Sequence, residues 1–71
     1  MFNYKSEDVL RTMSKFNIGD YIYRLQIFID RCNDDIRFER SLSRKDARKI
    51  QELENDIVSA SQEIERAKRY R

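Results

Sequence analysis

A chain of 71 residues with a net charge of +2 makes one small domain at most, and a domain of this size has a thin hydrophobic core. The single cysteine excludes an internal disulfide, and with no histidine we expect neither a metal site nor a bound cofactor. No apolar run is long enough to span a membrane and no signal peptide is recognisable, so we expect a cytoplasmic protein without membrane contact.

The chain has no proline and one glycine, a composition that predicts long helices joined by short turns. We predict a first, short helix at about residues 7–16. Ser6 can cap its N-terminus, and Asn17 and Gly19 tolerate the left-handed conformation that ends many helices. One face of this helix is apolar and consists of Val9, Leu10, Met13 and Phe16.

A second helix is predicted at about residues 21–40, and it carries two apolar faces. The first face is a heptad stripe, of the kind that packs along another helix, and consists of Ile22, Leu25, Ile29, Cys32 and Ile36. The second face holds Tyr23, Ile27 and Phe38, because spacings of 4 and 11 residues are close to whole numbers of helical turns. We expect the apolar face of the first helix to cover part of this second face but not to reach Phe38.

Residues 41–43 are predicted to form a turn, after which Ser43 and Asp46 resemble a capping box. A third helix is predicted at about residues 44–68, longer than the second. It continues the heptad pattern with Ile50, Leu53, Ile57, Ala60, Ile64 and Ala67. The sequence therefore predicts an all-α fold of three helices in a single domain, residues 1–71. A short N-terminal helix packs on a long antiparallel helical hairpin that resembles a coiled coil.

The ionisable residues give little support for catalysis. Asp30, Asp34 and Asp35 are the nearest approach to a carboxylate cluster. A solvated helix surface that pairs with Arg31 and Arg37 accounts for them better. The single cysteine lies on the heptad stripe without a histidine to activate it, so we interpret it as a core residue. We therefore expect that the protein is not an enzyme.

Basic residues gather around the predicted turn and at the C-terminus. Those near the turn are Arg37, Arg40, Arg44, Lys45, Arg48 and Lys49, and those at the C-terminus are Arg66, Lys68, Arg69 and Arg71. Between them lies an acidic block of Glu52, Glu54, Asp56, Glu63 and Glu65. These charges can be solvated and stabilise helix ends, they can orient a helical partner, or the bases can bind nucleic-acid phosphates. The acidic block opposes the last interpretation.

Several apolar residues lie away from the heptad stripes. They are Phe2, Tyr4, Tyr23, Ile27, Phe38, Val58 and Tyr70. Ordinary partial exposure is one interpretation, since single apolar groups are common on protein surfaces. We favour an interface, because a thin core cannot cover all of them and because Tyr, Phe and Arg are enriched where proteins meet.

The sequence thus predicts a non-enzymatic protein–protein interaction module, such as a small regulator, inhibitor or assembly factor, that acts through helical faces. The predicted partner-binding residues are Tyr23, Ile27, Phe38, Arg37, Arg40 and Arg44. Phe38 is expected to anchor the partner and the arginines to form a charged rim. We expect a homodimer or a higher oligomer, because small domains often need a second subunit. The alternative is a small nucleic-acid-binding regulator that uses the basic turn.

Overall fold

The computed structural model describes residues 3–44 and 46–71, and these form three helices and no strand. Helix α1 spans Glu7–Thr12, α2 spans Lys15–Ser41 and α3 spans Ala47–Lys68. The two long helices pack against each other as a hairpin, and the molecule measures 47 × 17 × 15 Å. The predicted all-α class, with a short helix preceding a helical hairpin, is confirmed.

The boundary between the first two helices differs from the prediction. Helix α1 ends at Thr12 instead of 16, and α2 begins at Lys15 instead of 21. Ser14 caps α2, because its side-chain oxygen accepts a 3.1 Å hydrogen bond from the Asn17 N–H. Asn17 and Gly19 therefore lie inside α2, and Gly19 does not have the positive φ of a helix C-cap.

The third helix also begins later than predicted. Asp46 is its N-cap and accepts a 3.1 Å hydrogen bond from the Lys49 N–H, so the helix begins at Ala47 and Ser43 is not its cap. With 27 residues in α2 and 22 in α3, the predicted order of helix lengths is wrong. Helix α2 is longer than predicted because it begins at residue 15 instead of 21, and α3 is shorter because it begins at residue 47 instead of 44.

The hydrophobic core is strongest at the end of the hairpin where α1, the beginning of α2 and the end of α3 meet. We call this the open end, and we call the opposite end, where α2 ends and α3 begins, the tip. The buried core cluster consists of Leu10, Ile18, Tyr21, Leu25, Ile29, Ala60, Ile64 and Ala67. Towards the tip, Cys32 and Ile36 of α2 are buried, but Ile50, Leu53 and Ile57 of α3 are only partly buried. The core therefore thins from the open end to the tip.

Both predicted heptad stripes face the core. Four of the five stripe residues on α2 are buried, while Ile22 is partly buried and its neighbour Tyr21 is buried in its place. The expectation for the first helix is wrong in part. Leu10 joins the core between α2 and α3, and Phe16 belongs to α2, where it is 83% exposed. The first helix therefore does not cover the second apolar face, on which Tyr23 remains exposed.

Candidate protein-binding surface

The side of α2 that faces away from α3 carries a sparse row of apolar side chains. We call this row the outer face and define it by Phe16, Tyr23, Ile27 and Phe38. The intervals of 7, 4 and 11 residues are all close to whole helical turns, so the four positions lie along one side of the helix. The buried residues of α2 lie about half a turn away, on the side that packs against α3.

The exposure of the outer face identifies it as a candidate binding surface. Phe16, Tyr23 and Phe38 are 83%, 65% and 63% exposed. Moving large aromatic side chains out of water lowers the free energy, and aromatic residues are enriched in protein interfaces. Ile27 differs, because it is half-buried and lines a shallow groove of about 470 Å³ with Asn3. The structure thus places three of the predicted residues, Tyr23, Ile27 and Phe38, on one surface.

Phe16 was missed as a member of this surface. The sequence interpretation placed it on the first helix and assigned it to cover the second apolar face. Its position seven residues before Tyr23 was the available signal, since two helical turns separate the two residues once α2 begins at Lys15. The outer face is therefore longer than predicted, and spans roughly 33 Å from Phe16 to Phe38 at 1.5 Å per residue.

The predicted arginine rim is partly engaged within the chain. Arg40 of α2 reaches across the hairpin to Glu54, with 3.2 Å between nitrogen and carboxylate oxygen. Arg37 forms an ion pair with Asp34 on the same helix. Arg44 is exposed in the turn. Exposed ion pairs of this kind are worth little and exchange readily, so these guanidinium groups can still contribute to the rate of partner association.

Lys45 and Phe2, which belonged to the predicted basic cluster and the predicted apolar surplus, lie outside the described residues. Of the other surplus residues, Tyr4 and Val58 are exposed and Tyr70 packs against the core cluster. The apolar residues outside the heptad stripes therefore do not form one patch. Of these residues, Tyr23, Ile27 and Phe38 lie in a row, on the outer face of α2.

A polar cluster at the open end was not predicted from the sequence. We call it the clamp, and it consists of Lys5, Tyr21, Glu63 and Arg66. The Tyr21 hydroxyl donates a hydrogen bond to Glu63 and accepts one of 3.0 Å from the Lys5 N–H. Arg66 donates two hydrogen bonds to the Glu63 carboxylate, at 2.6 and 2.7 Å, and a third to the Lys5 carbonyl oxygen. The clamp thus joins the N-terminal segment to α2 and to α3.

The clamp shifts the pKa values of its members. Burial raises the pKa of Tyr21 to about 12, and its hydrogen bond to Glu63 acts in the same direction. Burial also opposes the charge on Glu63, but hydrogen bonds from Arg66 and Tyr21 outweigh it and lower the pKa of Glu63. Tyr21 therefore stays neutral and Glu63 ionised across the ordinary pH range, which suits a structural role.

A second buried carboxylate lies near the tip. Glu39 is buried and forms a 3.0 Å ion pair with Lys49 across the hairpin. The hydrogen bond to Glu39 raises the pKa of Lys49, so Lys49 stays charged. This pair and the exposed pair between Arg40 and Glu54 join α2 to α3 where the apolar core is thin.

The candidate catalytic groups are the Cys32 thiol and the carboxylates near the middle of α2. Cys32 is buried in the hairpin, and burial raises the pKa of its thiol, which disfavours the nucleophilic thiolate. Asp34 pairs with Arg37, and Asp30 accepts a 3.4 Å hydrogen bond from Gln26. Across residues 3–44 and 46–71, no three side chains of the metal-binding types lie close enough to hold an ion.

Comparison of the chain with known protein families, with curated proteins and with solved structures finds no match. None of the helices in the described part of the chain is both long and apolar enough to cross a membrane.

Proposed function

We propose that the protein is a non-enzymatic interaction module, such as a small regulator, inhibitor or assembly factor, that binds another protein through the outer face of α2. One observation carries the proposal. The helix buries one side against α3 and presents Phe16, Tyr23 and Phe38 to water on the other. Such a surface suits a helix or a shallow groove on a partner, which would remove these aromatic rings from water.

Phe38 is the expected anchor of this surface. Its ring is 63% exposed, and the apolar core beneath it is thin, so little of the stability of the chain depends on it. Truncation of an aromatic anchor typically costs more than about 1 kcal/mol of binding free energy. The nearby arginines Arg37, Arg40 and Arg44 would act mainly on the association rate and its dependence on salt.

A photo-crosslinking experiment tests the proposal in native cells. A photoreactive phenylalanine analogue is introduced at position 23 or 38 on the outer face, and at Ser59 on the exposed side of α3 as a control. We expect protein adducts from positions 23 and 38 and few from position 59. Equal capture from all three positions, or capture from position 59 alone, would contradict the proposal.

A matched truncation then measures the contribution of the anchor. Phe38→Ala should weaken binding of the captured partner about tenfold or more while leaving the melting temperature nearly unchanged. Val58→Ala is the control, because Val58 is also an exposed apolar residue but lies on α3. If Phe38→Ala lowers the melting temperature and leaves binding intact, Phe38 belongs to the core and the interface lies elsewhere.

Nucleic-acid binding by the basic tip is the second candidate, and it has less support. Arg37 and Arg40 each have an acidic partner within the chain, and the partner of Arg40 is Glu54 on α3. Binding to phosphates would weaken steeply as salt is raised, because bound counterions are released from the nucleic acid. Titration of a fluorescent oligonucleotide at two salt concentrations distinguishes this function from an apolar interface.

A further inference from the structure

We propose that the outer face of α2 pairs with the same face of a second copy of this chain, with the two helices antiparallel and Ile27 at the two-fold axis. The inference rests on the proposed function, because it names the partner of that surface. Two-fold pairing is the commonest form of self-association, and it requires one patch to be complementary to itself. The outer face is complementary to itself when the two-fold axis passes through Ile27.

The apolar positions are symmetric about Ile27. Phe16 lies 11 residues before it and Phe38 lies 11 residues after it. In an antiparallel pair, a residue before the axis faces the residue at the same distance after the axis in the other chain. Phe16 therefore meets the partner's Phe38 at each end, and the two Ile27 side chains meet at the centre. Both exposed ends of the outer face are therefore covered together.

The polar positions near the axis are complementary in the same arrangement. Arg24 and Asp30 lie three residues before and after Ile27, so Arg24 faces the partner's Asp30, and the pair occurs twice. Tyr23 and Arg31 lie four residues before and after Ile27, which places each guanidinium against the partner's tyrosine ring. Arg24, Asp30, Tyr23 and Arg31 are all exposed in the single chain.

The charges also select the antiparallel direction. In a parallel, in-register pair every residue faces its own copy, so Arg24 would face the partner's Arg24 and Asp30 the partner's Asp30. Such contacts are repulsive at three charged positions around the centre, the third being Arg31. The antiparallel pair replaces two of these repulsions with ion pairs and the third with a contact to an aromatic ring.

One pair of facing positions opposes the dimer, and its negative charges are compensated by arginines within each chain. Asp20 and Asp34 lie seven residues either side of Ile27, so two acids face each other there. Asp20 accepts a 2.9 Å hydrogen bond from Arg24, and Asp34 forms an ion pair with Arg37. The guanidinium of Arg24 has further N–H groups, which can bind the partner's Asp30 at the same time.

Disulfide trapping tests the axis and the direction. In a Cys32→Ser background, Ile27→Cys should form a disulfide-linked dimer in a glutathione buffer, because the two introduced thiols face each other. Phe38→Cys should not, since its two copies would lie roughly 33 Å apart at 1.5 Å per residue. Efficient linkage through position 38 would overturn the antiparallel arrangement, as would failure of linkage through position 27.

Charge reversal tests the predicted pairs independently. Arg24→Glu and Asp30→Arg should each weaken the dimer about tenfold or more, because each places like charges together twice. Mixing the two variants should give a heterodimer, and the double variant should dimerise more tightly than either single variant, since both restore opposite charges. The double variant should remain weaker than the wild type, because Arg24→Glu also removes the ion pair with Asp20. Sedimentation velocity measures the four cases. If the mixture and the double variant remain as dissociated as the single variants, the pairing is wrong.

The two proposals fail in different ways. A wild-type chain that stays monomeric at high micromolar concentration, while position 23 captures a different protein, overturns the dimer and leaves the proposed function standing. Adducts from positions 23 and 38 that contain a second copy of this chain support both. Absence of any adduct at these positions, together with a monomeric chain, overturns both.

Discussion

Removing one oxygen atom from the clamp should destabilise the whole protein. Tyr21→Phe deletes the hydroxyl that donates to Glu63 and accepts from the Lys5 N–H, while keeping the buried ring. A hydrogen bond to a charged group contributes about 1.5–3 kcal/mol. Arg66 still satisfies both oxygens of Glu63, so we expect a loss near the middle of that range, about 2 kcal/mol.

That loss should be visible as a large shift in thermal unfolding. For a domain of this size, 1 kcal/mol corresponds to about 4–8 °C, so the melting temperature of Tyr21→Phe should fall by about 8–16 °C. Far-ultraviolet circular dichroism measures the transition. Tyr23→Phe is the matched control, because it deletes the same atom from a tyrosine that is 65% exposed two residues further along the helix.

The ionisation of tyrosine gives a second readout of the same variant. Because the pKa of Tyr21 is raised to about 12, this residue should be among the last tyrosines to ionise as the pH rises. Absorbance titration of Tyr21→Phe should lack this late component, and that of Tyr23→Phe should retain it. If the two variants have equal melting temperatures and equal titrations, the clamp does not stabilise the fold and the reasoning from its hydrogen bonds is refuted.

Two further variants test the backbone of α2 and the charge of the clamp. Gly19 lies inside α2 with no positive φ and with open space where a Cβ would lie, so Gly19→Ala should stabilise the protein by about 1 kcal/mol in urea unfolding. An unchanged or lower stability would show that α2 does not continue through this residue. The pKa of Glu63 is lowered, so its ionised form stabilises the fold above the ordinary glutamate pKa of 4.5, and this contribution is lost as the pH falls through the folded value. The melting temperature of wild type should therefore fall below pH 4.5 more steeply than that of Glu63→Gln, and parallel profiles would contradict the assignment.

The hairpin could be predicted from the sequence because its signal is repeated. Two apolar stripes at heptad spacing agree over most of α2 and α3, and an error at one position changes little. The helix boundaries depend on single residues. Between the first two helices, the residues that can end a helix lie next to one that can begin a helix. Asn17 and Gly19 can end a helix, but Ser14 can begin one, and the longer α2 buries Ile18 completely in the core. The free energy gained by burying one large side chain outweighs the weak tendency of a glycine to end a helix.

The clamp could not be predicted, because it joins three segments that are far apart in the chain. Tyr21 and Glu63 are separated by 42 residues, and no helical spacing relates them. Glu63 also belongs to an acidic block that looks solvated when it is seen only as a charge pattern. Its burial follows from the packing of α3 at the open end, which only the folded chain defines. The exposure of Tyr23 and Phe38 was predictable in principle, since it depends on the helical period alone.

If the proposed function holds, the two sides of α2 have separate roles, one in folding and the other in binding. The side that meets α3 holds the core, the clamp residue Tyr21 and the buried Glu39, so substitutions there change folding. The outer face lies on the opposite side, where Tyr23 and Phe38 contribute little buried area within one chain. Truncations on the outer face should therefore change association without unfolding the monomer, whereas truncations on the inner side should change both. An outer-face variant that loses the dimer and unfolds at the same time would show that the second copy, and not the hairpin core, holds this protein together.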